Sequence, residues 1–419
     1  MTICSLHLIQ IISYICVRSK KSGNMQIPSR HDYRGGHYIE LLQSGENFFA
    51  ACEKVIDEAT EYIHFQTYIV DDDETGRRIV NALIRAAGRG VRIYFLLDAY
   101  GGSSFTKDLV KKVEDAGILF RRFSPGLITK GLQLSLRLHH KVLLCDGNTA
   151  IIGGMNIADR YRGISGKKEW LDFAVKLKGP ECTHVLLILK RLWNKAFISK
   201  KDRSRETIHD FIYYEENIRL RVLQNNWSRN KIEILKSYRS AIKHAQFRMI
   251  IFASYFLPGR NERRLLRDAS RRGVDIKIVL SAESDAPVFL RATNFLFDFI
   301  LRNNIKIYEY LPSNLHAKVA TVDGKWSTIG SYNMNHLSDY GSVETNVDIL
   351  NEEFAAGFEK LLNEILEKDC RQLTVEDYTR RKTWFFQITD WFYYQMIRAL
   401  MRLMFASAPK KSKTKPNQN

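Results

Sequence analysis

Two stretches of the chain repeat one alternation of apolar and polar positions. An apolar run from Tyr62 to Val70 precedes an amphipathic helical pattern from Arg77 to Gly88, then Gly90 and a second apolar run ending at Leu97. Phe247 to Phe256, Glu262 to Arg271, Gly273 and the run ending at Leu280 repeat that order. Strand, helix, glycine and strand make a βαβ unit, the glycine closing the helix. The pattern predicts an α/β protein of two pseudo-twofold-related halves, each a mixed sheet flanked by helices, sharing one active site. At about 180 residues the period is too long for a solenoid. We expect the halves at 38–220 and 221–370, with an extension over 1–37 and a C-terminal helix and tail over 371–419.

A second repeat lies deeper in each half. His139-His140-Lys141 leads through Leu144 to Asp146-Gly147, then through Ile152 to Gly153-Gly154-Met155-Asn156. His316-Ala317-Lys318 leads through Val322 to Asp323-Gly324, then through Ile329 to Gly330-Ser331-Tyr332-Asn333. The two histidines are 177 residues apart, and so are the two asparagines. Apolar runs on both sides of Asp-Gly predict β-hairpins. With two-residue loops Gly147-Asn148 and Gly324-Lys325, His139 would face Asn156 and His316 would face Asn333.

His and Lys two apart on a strand share a face. Each hairpin would therefore present an imidazole, an ammonium and a neutral amide, a trio suited to phosphate. Two such faces could surround one phosphodiester, with Lys141 and Lys318 supplying the charge a metal would otherwise bring. No cofactor or metal is expected. One histidine would attack phosphorus while the other moves the proton of the leaving and accepting oxygens. Each needs an acceptor on its other nitrogen to fix the tautomer. Asp146 and Asp323 belong to the motif, yet their place before the loop favours a turn-stabilising role over contact with substrate. His140 should point away from the site. His31, His37, His64, His184, His209, His244 and His336 read as surface or core residues, and Trp170 as core or a neighbour of the site.

Lys and Arg exceed Asp and Glu by 64 to 46, a net charge of +18, so an anionic partner is expected. Nucleic acid, an anionic lipid surface and a phosphate ester all satisfy that. The basic run Lys190 to Arg205 reads as a solvated face. Six scattered cysteines without CxxC spacing read as core or free thiols in a reducing compartment.

The ends differ from the repeats. Ile3 to Val17 is apolar but too short to span a bilayer, and reads as a weak anchor or as sequence ahead of a start at Met25. From Trp384 to Phe405 aromatic residues dominate, while Gln387, Asp390, Gln395, Arg398 and Arg402 fall on one helical stripe. Such a helix suits a membrane interface, with Lys410, Lys411, Lys413 and Lys415 near anionic headgroups. Docking on the protein's own core is the alternative.

The paired HxKxxxxDxxxxxxG[GS]xN motifs resemble the phospholipase D superfamily, and their surroundings resemble its bacterial cardiolipin synthase branch. The similar segments are Asn156-Ile157-Ala158-Asp159-Arg160-Tyr161, Trp170-Leu171-Asp172, Asn335-His336-Leu337-Ser338 and Glu344-Thr345-Asn346. The region of Tyr68, Asp98-Ala99-Tyr100-Gly101 and Tyr255-Phe256-Leu257-Pro258 are similar too, so the likeness runs from Tyr38 to Leu366. The resemblance is to the shorter forms, those without the N-terminal transmembrane pair of many cardiolipin synthases.

The resemblance implies that Asp172 and Glu344, 33 and 28 residues after the histidines of their own motifs, orient those histidines. It implies His139 as nucleophile and His316 as acid–base partner. It also implies a phosphatidyltransferase acting through phosphohistidine on phospholipids, making cardiolipin from phosphatidylglycerol. The enzyme would sit peripherally on the cytoplasmic face of a bacterial membrane. The alternative is a phosphodiesterase using water on phospholipid or nucleic acid; no aromatic-interleaved basic groove favours nucleic acid.

Overall fold

The two βαβ helices end in the same way. Helix Glu74–Gly88 closes with Gly90 at φ 87°, its N–H on Ala87 O and the next N–H, of Val91, on Ala86 O. Helix Arg260–Arg271 closes with Gly273 at φ 93°, bonding Ser270 O, while Val274 bonds Ala269 O. This paired closure needs a left-handed residue, which glycine adopts without a Cβ clash. The chain is thereby turned directly into strands Arg92–Asp98 and Asp275–Ser281.

The structure, a computed structural model, describes residues 18–19, 32–123, 137–164, 166–195, 202–207, 212–214, 218–226, 229, 231–381 and 383–406. Ile3 to Val17, Met25, part of the basic run after Lys190 and the four C-terminal lysines lie outside them. One sheet has seven strands, in spatial order 38–43, 173–178, 149–153, 141–145, 62–67, 92–98 and 119–123. The other runs 231–232, 219–226, 342–350, 326–330, 318–322, 248–253, 275–281, 306–310 and 370–373. In each, the βαβ strands are parallel and the hairpin is antiparallel. The residue 220 boundary falls inside strand 219–226, which pairs with 342–350 along its whole length. That strand therefore belongs wholly to the second sheet.

The sheets share one core. Phe173, Val175 and Leu177 from the first and Val319, Val347 and Ile349 from the second are all buried in a single apolar cluster. Each such side chain contributes about 1.5–3 kcal/mol by leaving water. Helices Glu181–Trp193 and Glu352–Asp369 pack at that seam, with Phe173 and Phe358 edge to face at 5.3 Å. Cys52, Cys145 and Cys182 are buried free thiols, and Cys370 is a half-buried one.

The hairpin register differs from expectation by one residue. Cys145 faces Thr149 and Val322 faces Trp326, so the loops hold three residues: Asp146-Gly147-Asn148 and Asp323-Gly324-Lys325. Asp146 and Asp323 adopt positive φ, 50° and 54°, like the glycines after them. Two consecutive left-handed residues form the turn, and the third residue supplies the closing N–H bond to Cys145 O or Val322 O. A one-residue slip reverses which side chains face each other. The strands end at Gly153 and Gly330, so neither asparagine lies opposite its histidine.

Candidate active site

Each HxK strand is led in by a segment that pairs with the other half. Leu138 bridges Val343 in parallel and Leu315 bridges Leu171 in parallel. The N–H of His139 bonds Val343 O at 3.0 Å, and that of His316 bonds Leu171 O at 2.8 Å. The residue following each bridge partner is an acid: Glu344 after Val343 and Asp172 after Leu171. The acids are thus exchanged between the halves.

His139 Nδ1 lies 2.9 Å from Glu344 Oε2, and His316 Nδ1 lies 2.6 Å from Asp172 Oδ2. This corrects the expected pairing of each acid with the histidine of its own motif. A parallel bridge across the seam, not distance along the chain, selects the partner. A carboxylate at Nδ1 holds the proton there and leaves the Nε2 lone pair free in the neutral ring.

The two acids are held differently. Glu344 is fully buried and also accepts the hydroxyls of Ser331 at 2.6 Å and Ser338 at 2.8 Å. Asp172, equally buried, accepts the Phe173 N–H at 2.8 Å and faces Lys318 Nζ at 3.6 Å. Burial pushes its pKa up to about 6, against the pull of Lys318. A Cβ on Gly154 would collide with both Asp172 carboxylate oxygens, so only glycine lets this acid in. Gly330 leaves the same kind of room for Asn346 and the Thr345 carbonyl.

Lys141 and Lys318 are both buried, and each ammonium donates to the carbonyl of the histidine two residues before it. Lys318 Nζ is also 2.7 Å from His316 Nδ1. A nitrogen already donating to Asp172 cannot accept that proton, so the contact crowds like polarities together. Burial lowers the Lys141 pKa to about 7, helped by the charge of Lys318. Burial likewise lowers both histidines, with Lys141 opposing protonation of His139 and Lys318 that of His316. Burial is the first cause of each of these shifts, so a bound anion would favour the charged forms that burial disfavours.

Aromatic rings wall the site. Tyr68 meets His139 edge-on at 5.0 Å and lies 5.2 Å from Lys141 Nζ, a cation–π contact. Tyr161 and Trp170 stand 5.3 and 6.2 Å from the His316 ring. Asn156 is buried, with Nδ2 2.9 Å from Tyr161 OH and Oδ1 without a partner among the described residues. Turning the amide over makes Tyr161 the donor and frees Nδ2 for a phosphate oxygen. Asn333 accepts the Tyr255 N–H through Oδ1 at 3.3 Å. The sequence reading assigned no role to Tyr161, Ser331 or Ser338. Their signal was position inside the quoted segments, which spacing alone does not convert into a contact.

Asp146 and Asp323, which the motif groups with the catalytic histidines and lysines, stand apart from them, in the structural role that their place before the loop favoured. Seven strand residues place them roughly 20 Å from the histidines. Asp146 accepts the N–H groups of Thr60, Glu61 and Tyr62, and Asp323 those of Gln246, Phe247 and Arg248, all at 2.8–2.9 Å. Each clamps the backbone entering the neighbouring strand. His140 bonds Thr345 and Gln66 inside the core, where burial drops its pKa to about 3.

Helix Trp384–Ala406 docks one side on the protein and leaves the other uncovered. Tyr394 and Ile397 are buried in the second half's outer core, and Asp390 pairs with Arg291 at 3.5 Å. Trp384, Phe385, Ile388, Trp391 and Phe392 on its other side are each at least half exposed. No helix among the described residues is long and apolar enough to cross a membrane.

Residues 53–193 and 238–366 match the model of the family described as cardiolipin synthase, PLD-like domain. The chain is 30% identical over 364 residues to cardiolipin synthase B of Shigella flexneri, covering 84% of this chain and 86% of that one. It is 29% identical over 345 residues to the cardiolipin synthase of a Geobacillus strain, covering 81% and 67%. The crystal structure of phosphatidylserine synthase from Haemophilus influenzae superposes with a TM-score of 0.67 at 14% identity, covering 89% of this chain and 96% of that one. The duplicated α/β fold and the matched span agree: the chain belongs to the cardiolipin synthase, PLD-like domain family.

Proposed function

We propose that the chain is a phosphatidyltransferase that makes cardiolipin from two molecules of phosphatidylglycerol through a phosphohistidine. The observation that carries this reading is the pair of crossed His–acid contacts with a buried lysine beside each histidine. His139 is the nucleophile; its side chain is 16% exposed against 7% for His316. Nε2 of His139 bonds to phosphorus as the bond from phosphorus to the departing glycerol oxygen breaks, and His316 Nε2 gives that oxygen its proton. In the second step His316 takes the proton from a hydroxyl of the next phosphatidylglycerol. That oxygen bonds to phosphorus and the P–N bond breaks.

The phosphodiester brings one negative charge to two ammoniums. Burial first, and the charges of Lys318 and Lys141 after it, keep His316 neutral in the free enzyme; the arriving negative charge favours the imidazolium, so the proton donor forms when substrate is present. Lys141 and Lys318 neutralise charge on the non-bridging oxygens, and no step requires a metal. Asn156 and Asn333 are assigned to those oxygens as neutral donors.

Transfer competes with water at about 55 M, so acceptor must be concentrated and solvent excluded. The exposed aromatic side of helix Trp384–Ala406 supports peripheral attachment to an anionic membrane surface, the cytoplasmic face in a bacterium. Purified protein incubated with phosphatidylglycerol vesicles should yield cardiolipin and glycerol. Phosphatidic acid as the sole lipid product would make it a hydrolase.

A further inference from the structure

A cavity of about 1080 Å³ lies between helices Pro287–Asn294 and Phe297–Arg302 on one side and the start of the C-terminal helix on the other. None of the histidines, lysines, acids or asparagines of the site above lines it. Four arginines do: Arg263, Arg291, Arg302 and Arg380. Two of them have carboxylates at hand, Arg302 with Asp298 at 2.9 Å and Arg291 with Asp390 at a looser 3.5 Å. Arg263 does not: its Nε is buried without a partner among the described residues, and its guanidinium stands 5.8 Å from the Phe299 ring. Arg380 is exposed and pairs with no carboxylate among the described residues. A buried guanidinium donor with nothing to bind calls for an acceptor.

The rest of the wall mixes the polar residues Asn294, Asn303, Thr383 and Gln387 and the acid Glu309, which pairs with Arg371 at 2.7 Å, with apolar ones, and the apolar part does not stop at the cavity. Phe386, Ile388 and Trp391 line the space and are 39%, 56% and 50% exposed, so the mouth opens on the aromatic side of the helix. A free phosphate would leave most of this volume empty, since cavities of 300–1,000 Å³ suit far larger ligands. A water-soluble nucleotide has no use for an aromatic wall running out to the surface. An acyl chain does.

We propose that this cavity binds one anionic phospholipid at a site separate from the catalytic centre, its phosphate on Arg263 and Arg380 and its chains along Phe299, Ile388 and Trp391. The choice of ligand rests on the membrane reading above. The lipid enters from the bilayer side and fixes the C-terminal helix to protein and membrane together, so attachment depends on anionic lipid and not on apolar contact alone.

The test uses the full chain with phosphatidylglycerol carrying a diazirine in its acyl chain, presented in neutral detergent micelles, illuminated and mapped by peptide mass spectrometry. Adducts are expected within 287–303 and 384–391. Unlabelled phosphatidylglycerol should displace them, and inorganic phosphate should not. Arg263→Gln with Arg380→Gln should lower labelling about tenfold while turnover of a soluble short-chain phospholipid and the melting temperature stay unchanged. Labelling confined to peptides near His139 and His316 would overturn the proposal. So would equal labelling by a phosphatidylcholine probe, which marks an apolar groove only, or competition by inorganic phosphate, which marks a free-anion site. The competition arms use the unaltered protein and do not depend on the variants folding. An active chain without these adducts sinks this site alone; adducts on a chain that turns over no phospholipid sink the proposed function and leave the site.

Discussion

Glu344 accepts the Nδ1–H of His139 at 2.9 Å although the residues are 205 positions apart and in different copies of the repeat. Each histidine is thus oriented by the opposite half, and neither half holds a complete His–acid pair. The crossing separates the effects of the two acids. With phosphatidylglycerol, Glu344→Gln and Asp172→Asn should each lower kcat by about 10²–10⁴-fold, the usual range for disabling one proton-transfer or orienting group. With an activated leaving group such as a nitrophenyl phosphatidyl ester, Asp172→Asn should still form the adduct quickly but release it slowly. Glu344→Gln should form it slowly. The reverse pattern would place the nucleophile on His316.

Lys141 sets an alkaline limit. Its ammonium is pushed down to about 7 by burial and by Lys318, and only the protonated form neutralises phosphate. As pH rises through about 7 the free enzyme loses that charge, so kcat/KM should fall. Bound substrate favours the ammonium, so the fall in kcat should come at higher pH. Lys141→Arg keeps its charge throughout and should remove this limb, at reduced overall rate. An unchanged pH profile in Lys141→Arg would remove Lys141 from this role. EDTA should leave turnover intact.

Gly154 should tolerate no side chain. Gly154→Ala drives a methyl into the Asp172 carboxylate and should lower activity strongly with secondary structure retained. Gly88, at the end of a helix with open space at its Cβ position, is the control. Gly88→Ala should be neutral or stabilising by about 0.5–1 kcal/mol. Equal loss of activity in both variants would mean the close approach at Gly154 is unimportant.

Asp323 should matter to stability and not to rate. Asp323→Ala leaves three backbone N–H groups without their carboxylate and should cost about 1–3 kcal/mol in a denaturant titration. The folded fraction should turn over normally. A loss of kcat without a loss of stability would return Asp323 to the chemistry.

Much of this was legible in the chain. The helix-closing turns at Gly90 and Gly273 follow from local sequence, because the bonds involved span only six residues. The twin HxK motifs placed a lysine beside each histidine for the same local reason. The hairpin register was not legible: it depends on Asp146 and Asp323 adopting left-handed backbone, which Asp-Gly allows but does not dictate. The acid exchange was also hidden, because the Leu138–Val343 and Leu171–Leu315 bridges are tertiary contacts with no trace in local spacing. Helix Trp384–Ala406 showed its amphipathic pattern plainly, while which residues dock required the outer core to receive Tyr394 and Ile397.

That docking shapes the membrane experiment. Removing the helix would uncover the core beneath Tyr394 and Ile397, so substitution is the cleaner test. Trp384→Ser, Phe385→Ser and Phe392→Ser together should release the protein from anionic vesicles in a flotation assay, with its melting temperature unchanged. Full retention on vesicles would put the attachment elsewhere.

The central claim is that His139 carries the phosphatidyl group. Protein mixed with phosphatidylglycerol labelled in the acyl chain, quenched at alkaline pH within one turnover and mapped by mass spectrometry, reads this directly. A single labelled site at His139, absent in His139→Ala and persisting longer in His316→Ala when an activated leaving group is used, is the predicted result. An adduct on His316, or cardiolipin made by His139→Ala at the unaltered rate, would contradict it.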